Sequence, residues 1–283
     1  MTAFGVQGSG PLVGGAPPPE HFHRVAEAAE AIGFDSLWAG DHVAFHEPLL
    51  DVTVALATFA AVTGSIRLGA GVLLLPLRAP ALVAREFGSL DYVSGGRVIL
   101  GVGVGGEHPA DFEAVGVPIR ERGKRTDDGM RALRGLFARE TPPPAQRNGP
   151  PLWVGGRSDA AIRRAHHLGD GWMPIWVSPE RYAAGLARLP RERTAAVVLP
   201  SLVGGTVEEA RLYLSRRYST EFSTHAIERY CVVGSASECA ERVARYVAAG
   251  AEHVVFHPAV EPHRLLGQVE LLAEVVGQHA AAR

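Results

Sequence analysis

The chain is poor in the features that mark several protein classes. Of 283 residues only two are cysteines, Cys231 and Cys239, and their spacing matches no zinc or redox motif. A disulfide scaffold is therefore excluded, and both are expected to be free thiols in a reducing cytosol. No apolar run approaches the roughly 20 residues that span a bilayer. The start, MTAFGVQGSG, has no basic segment and no long apolar stretch, so no signal peptide and no membrane are expected. Charge of one sign is also missing. Lys+Arg 28 against Asp+Glu 30 leaves a formal net charge of −2, so no global basic field exists to recruit nucleic acid. Lysine itself is nearly absent, Lys124 being the only one. Together these absences point to a cytoplasmic protein.

What is present is a 47% hydrophobic, 20% charged chain, ordinary for a globular protein and able to bury a large core. Short β-type runs alternate with helical patterns. Strands are predicted at Phe4–Gln7, Ser36–Ala39, Ile66–Leu74, Arg97–Val102, Leu152–Val154, Gly171–Ile175, Ala195–Val203 and His253–His257. Between them lie helical stretches such as Glu20–Ile32, with Val25, Ala28, Ala29 and Ile32 on one face. Gly33 ends that helix, and Ser158 is placed to cap another. Ile119–Arg139 reads as one amphipathic helix, and Glu140–Pro151, with five prolines, as a loop. The strands are apolar on both faces, as in a buried parallel sheet. Eight βα repeats in this length fit a closed (β/α)8 TIM barrel spanning residues 1–283 as one domain, with an open doubly wound sheet as the alternative. In a barrel the chemistry sits at the C-terminal ends of the strands.

Four segments meet that requirement. Trp38-Ala39-Gly40-Asp41-His42 closes the second strand, and a carboxylate beside an imidazole can move a proton near neutral pH; the plain alternative is a loop cap and an exposed histidine. Gly69-Ala70-Gly71-Val72 puts glycine inside a strand, which marks a bulge, a close ligand approach or tight packing. Gly101, Gly103 and Gly106 satisfy G-x-G-x-x-G. The dinucleotide reading fails in context, because the run enters His108-Pro109 and Arg120–Arg125 stands where an acidic residue is needed. In a barrel, Gly105 and Gly106 instead let a flat ring lie against backbone, with Glu107 as a nearby acid or as a solvated loop carboxylate. Trp153-Val154-Gly155-Gly156-Arg157-Ser158 opens a helix, where free N–H groups and Arg157 can cradle phosphate. Barrel phosphate sites usually follow strands seven and eight, whereas this turn follows the fifth.

Other residues carry less. His21-Phe22-His23 has metal-ligand spacing but sits at a helix start, and His166-His167 lies on an arginine-rich helix, so no metal is assigned. Trp172 and Trp176 flank the sixth strand as core or rim aromatics, and one is a candidate pocket wall.

Taken in order, SLWAGDH, RLGAGVLLLP with AREFGSLDYVSGGRVILGVGVGG, PPLWVGGRSDAAIRRA with GDGW, and GSASECAERVARYVAAGAEHVVF resemble the luciferase-like superfamily, and within it the F420-dependent oxidoreductases. The resemblance implies a luciferase-like TIM barrel with a redox ring at its C-terminal mouth. It implies His42 as proton donor or acceptor, with Asp41 orienting it or bonding the cofactor. Glu107 matches a loop acid used in some deazaflavin enzymes, although one extra residue separates it here from the glycines. Gly71-Val72 corresponds to a non-proline cis peptide against the ring, and Gly155, Gly156, Arg157 and Ser158 to the phosphate-binding turn. Arg78, Arg85 and Arg157 are candidate partners for an acidic tail. Coenzyme F420 is the implied cofactor, FMN the alternative, a small organic molecule the substrate and a homodimer the assembly. An FMN-dependent monooxygenase and a catalytically idle cofactor-binding barrel remain as alternatives.

Overall fold

A computed structural model describes residues 2–10, 12, 16–139 and 143–281; the first three residues of the expected 140–151 loop lie outside them. Among the described residues there are nine strands: β1 (Ala3–Gln7), β2 (Ser36–Ala39), β3 (Arg67–Leu74), β4 (Val98–Gly103), β5 (Leu152–Gly155), β6 (Gly171–Met173), β7 (Thr194–Val203), β8 (Val232–Gly234) and β9 (His253–Pro258). Eight of them close into a parallel barrel. β1 to β7 pair in sequence, β7 pairs with β9, and β9 returns to β1. The open-sheet alternative is therefore ruled out. The ninth strand, β8, was not anticipated; it extends the C-terminal end of β7 through Ser201–Val203.

Helices alternate with the strands: α1 (Glu20–Ile32), α2 (Val52–Val62), α3 (Pro80–Ser94), α4 (Pro109–Ala114), α5 (Arg122–Phe137), α6 (Asp159–Leu168), α7 (Pro179–Leu186), α8 (Val207–Arg217), α9 (Thr224–Tyr230), α10 (Ala236–Ala248) and α11 (Leu265–Ala281). Their starts follow local chemistry. The Asp51 and Ser158 side chains accept backbone N–H groups of the first turns of α2 and α6, and Thr206 with Glu209 and Ser235 with Glu238 form capping boxes on α8 and α10. The buried face of α1 differs from expectation: it is Phe22, Val25, Ala26 and Ala29, while Ile32 is exposed. The buried face therefore starts one turn earlier, at Phe22. The Ile119 helix also splits, into a single 3-10 turn at Ile119–Glu121 and α5 proper. Strand β6 stops at Met173 because Pro174 has no N–H to give the ladder.

The main hydrophobic core lies between the barrel and its helices. A second cluster, Trp38, Ile99, Trp153, Met173, Ala196 and Val255, fills the barrel interior. The Trp38 and Trp153 rings are 5.6 Å apart, and the His253 ring meets both edge-on. The Ser36 hydroxyl accepts the Trp38 indole N–H at 2.7 Å and bonds His253 Nε2 at 2.7 Å, which satisfies the polar atoms of this dry layer. Gly69 exists for this packing, since a Cβ there would lie 2.2 Å from the Trp38 ring. The interior is thus filled below, and a cavity opens above it, at the C-terminal ends of the strands.

Candidate active site

All eight barrel strands or the residues just after them line one cavity of about 230 Å³ at this mouth. Gln7, Gly40, Gly71, Gly103, Gly155, Met173, Val198 and His257 each mark one strand. The cavity is slightly smaller than the roughly 300–1,000 Å³ usual for ligand sites and is open to solvent on one side. Asp41, His42, Val72, Gly105, Gly106 and Glu107 also line it. Most residues proposed from sequence therefore converge. Arg157 and Ser158 do not reach the lining; both are exposed just beyond Gly156, and the Ser158 hydroxyl is occupied as the cap of α6. The Gly155–Gly156 turn is steadied from the side by the Trp172 indole, which donates to the Gly156 carbonyl at 2.9 Å.

The floor is apolar. The Gly71–Val72 peptide is cis, and the β3–β4 register shifts between Ala70 and Leu73. The Val72 side chain then lies where Cβ atoms on Gly103 and Gly155 would intrude, at 2.5 and 3.0 Å. Those two glycines make room for Val72, which packs on the interior cluster of the barrel and presents an apolar surface upward with Met173, Ile175 and Val198. Gly105 and Gly106 hold φ of 62° and 106°, a backbone that a side-chain-bearing residue rarely adopts, and turn the β4 loop back over the cavity.

The polar groups correct one expectation. Asp41 does not orient His42. Its buried carboxylate accepts the Leu74 N–H at 2.9 Å and the Arg78 guanidinium at 2.7 Å, tying the β2 loop to the end of β3. Arg78 also reaches Asp51 at 3.2 Å. Burial disfavours its charge, but Asp41 and Asp51 outweigh that and hold the guanidinium above its ordinary value. Arg78 is therefore already engaged by two carboxylates, and Arg85 is exposed on α3 away from the cavity.

The carboxylate that orients His42 is Asp111, in the short helix α4. His42 Nδ1 lies 2.8 Å from Asp111 Oδ2, while Asp111 Oδ1 accepts the Val43 and Ala44 N–H groups at 2.7 and 2.8 Å. Burial alone would raise the Asp111 carboxyl, but His42 and the two N–H donors prevail and keep it below the usual carboxylate range. With Nδ1 committed to an ionised carboxylate, Nε2 is the ring nitrogen available to the cavity. The His42 ring stacks on Phe45 at 4.3 Å and meets His108 edge-on at 5.0 Å. Burial, the neighbouring His42 and other cationic neighbours hold His108 low despite Asp111. Burial together with Arg217 pushes His257 down to about 3. Glu107 is exposed on the rim.

Asp111, His108, Arg217 and Tyr218 were missed by sequence reasoning. A signal for Asp111 existed in His108-Pro109-Ala110-Asp111, where a proline at the first helical position announces a short helix with an acidic first turn. Nothing local marks Arg217. Neither Trp172 nor Trp176 lines the cavity: Trp172 stacks on Tyr182, and Trp176 stacks on Phe222 at 4.6 Å in a separate cluster.

Comparison with known proteins fits this geometry. Residues 1–202 match the model of the luciferase-like monooxygenase family. An uncharacterized protein of Mycobacterium tuberculosis is 36% identical over 208 residues, covering 61% of this chain and 71% of its own. Among solved structures, a monooxygenase from Streptomyces bottropensis superposes with TM-score 0.82 at 22% identity, covering 99% of this chain and 100% of that one. An F420-dependent secondary alcohol dehydrogenase superposes with TM-score 0.79 at 18% identity, covering 99% of each. At these identities the two structures attest the shared barrel.

Proposed function

The chain belongs to the luciferase-like monooxygenase family, and from that premise we propose that it is an oxidoreductase transferring a hydride between coenzyme F420 and a small organic substrate. The observation that carries this reading is the His42–Asp111 pair, facing one cavity with the apolar Val72 floor and the Gly155–Gly156 turn.

The residues fit a planar redox ring. Its face would rest on the Gly71–Val72 backbone and the side chains of Met173 and Val198, and its phosphate would meet the Gly155-Gly156-Arg157-Ser158 turn at the N-terminus of α6. Arg157, Arg163 and Arg181 are exposed around that turn, and the last two are close enough to help lower the Asp159 carboxyl, after its direct bond to Arg188. A cluster of cations suits an acidic cofactor tail. F420, when bound, supplies a ring carbon that gives or accepts hydride. The protein supplies position and a proton. His42 Nε2 delivers the proton to the substrate atom, or removes it, while Asp111 keeps the imidazole oriented through Nδ1. Glu107, exposed on the rim, is a further acid of the cavity lining beside Asp41 and Asp111. Asp41 acts through the backbone, by pinning the loop that carries His42 to Leu74 and Arg78.

The second reading is an FMN-dependent monooxygenase using O₂. It is favoured by the single arginine, Arg157, directly in the turn, enough for one phosphate. Titrating the purified protein with F420 and with FMN separates the two. F420 should bind at least about tenfold tighter, a difference of about 1.4 kcal/mol; equal affinities or an FMN preference overturn the F420 assignment. We further propose a homodimer, because Val54 on α2 and Leu82, Tyr92 and Val93 on α3 leave large apolar side chains exposed for a second copy to cover. Sedimentation at micromolar concentration showing only monomer overturns that assembly.

A further inference from the structure

Two adjacent arginines end α8 in opposite situations. Arg216 points outward and engages the carboxylates of Glu47 and Glu261. Arg217 points inward, is only 6% exposed, and lines both the active-site cavity and a small void beside it. No described carboxylate lies within 4.0 Å of its guanidinium, and Nη1 is buried without a hydrogen-bond partner. Its surroundings are the Tyr218 hydroxyl, a neutral hydrogen-bond partner, and the rings of Phe45 at 5.8 Å, His108 and His257. The two imidazoles are held neutral and contribute no negative charge. His108 Nε2 is likewise buried without a partner. Across the mouth the two carboxylates are spent, Asp41 on Arg78 and Asp111 on His42, and Glu107 sits exposed on the rim.

A guanidinium does not lose its proton at any physiological pH, so a buried one demands an anion. Its planar fork matches a carboxylate with two parallel N–H···O bonds. We propose that the substrate of this enzyme is a small organic carboxylate, its acid group held by Arg217 with His108 as second contact, and its apolar body laid between Phe45, Leu49 and Ile175. This deepens the reading of the cavity as a substrate site beside a redox ring, and rests on it. The cofactor's own acidic tail is the less suitable occupant. The phosphate-type turn is on β5, and Gln7, which lines the same small void as Arg217, ends β1, four places away around the eight-strand ring.

Calorimetric titration of the purified protein, with and without saturating F420, tests this. The probes are acetate, butyrate and benzoate, each against its neutral amide. At least one acid should bind about tenfold or more tighter than its amide. Arg217→Gln should erase that preference to within about twofold, and Arg217→Lys should retain part of it, since a point charge replaces the fork. Equal binding of acid and amide in all three pairs of the unaltered protein overturns the proposal without any variant. So does an Arg217→Gln protein that keeps the preference, or one whose main loss is about tenfold in F420 affinity, which would assign the guanidinium to the cofactor. A carboxylate preference in protein that binds no F420 supports this proposal while removing the F420 assignment.

Discussion

Strand β9 carries two histidines on the same inward face, His253 near the closed end of the barrel and His257 at the mouth. Both are buried and both are neutral at pH 7, His253 held to about 4 by burial and by Arg67, and His257 to about 3 by burial and by Arg217. Their settings differ in one respect. At the closed end each polar atom is matched to another, His253 to Ser36 and Ser36 to Trp38, inside a layer of two tryptophans. At the mouth the matching stops short, leaving Arg217 Nη1 and His108 Nε2 without partners. The lower layer completes its own hydrogen bonds and acts as scaffold. The upper layer leaves those donors to whatever occupies the cavity, which is the role proposed above for the substrate carboxylate.

The contrast breaks most visibly at His42. His42→Ala should cut turnover by roughly 10²–10⁴-fold if the imidazole carries the proton, with the unfolding temperature nearly unchanged; steady-state kinetics at an unaltered rate would remove His42 from the chemistry. Trp38→Ala in the floor should do the reverse. It should cost roughly 3–5 kcal/mol of stability in chemical denaturation, by emptying a fully buried site among Trp153 and His253.

Acidification separates the histidines from the rest. Unfolding lets His253 and His257 take up protons near pH 6.5, which the folded protein refuses until about 4 and 3. Stability is therefore full above pH 6.5 and falls as the pH drops below it. Lowering the pH from 7 to 5.5 should cost about 2–3 kcal/mol for the pair, a little over 1 for each. A denaturation midpoint flat across that range would show that neither imidazole is held neutral. The smallest effect is expected from Ser36→Ala, which leaves the Trp38 N–H and His253 Nε2 unmatched in the dry layer and should cost roughly 1–3 kcal/mol. A neutral result there would mean that the closed end does not depend on its internal hydrogen bonds.

Much of the barrel was legible in the chain because its signals are local. The Ser158 cap, the glycine stop after Ile32 and the apolar β-runs each act within a few residues, and eight predicted strands match the eight that close the ring. What escaped were short elements with few residues to announce them, α4, α9 and β8, and the placement of Phe22 on the buried face of α1. His42, Gly71, Val72, Gly105, Gly106, Gly155 and Gly156 adjoin strand ends and line one cavity, because the barrel dictates where such residues meet. The pairing of His42 was misassigned to its sequence neighbour Asp41, and Arg217 was passed over.

The amino-acid order by itself settled the alternation of strand and helix and the set of loops that would gather at one end, since periodicity, caps and turns depend on neighbours in the chain. Only the closed barrel decided which charge meets which. Asp111 reaches His42 across 69 residues and Arg78 takes Asp41 across 37, and the guanidinium of Arg217 has no ion pair with a carboxylate among the described residues. Ion pairing and desolvation depend on distance through space, and that distance does not exist until the ring of strands is complete.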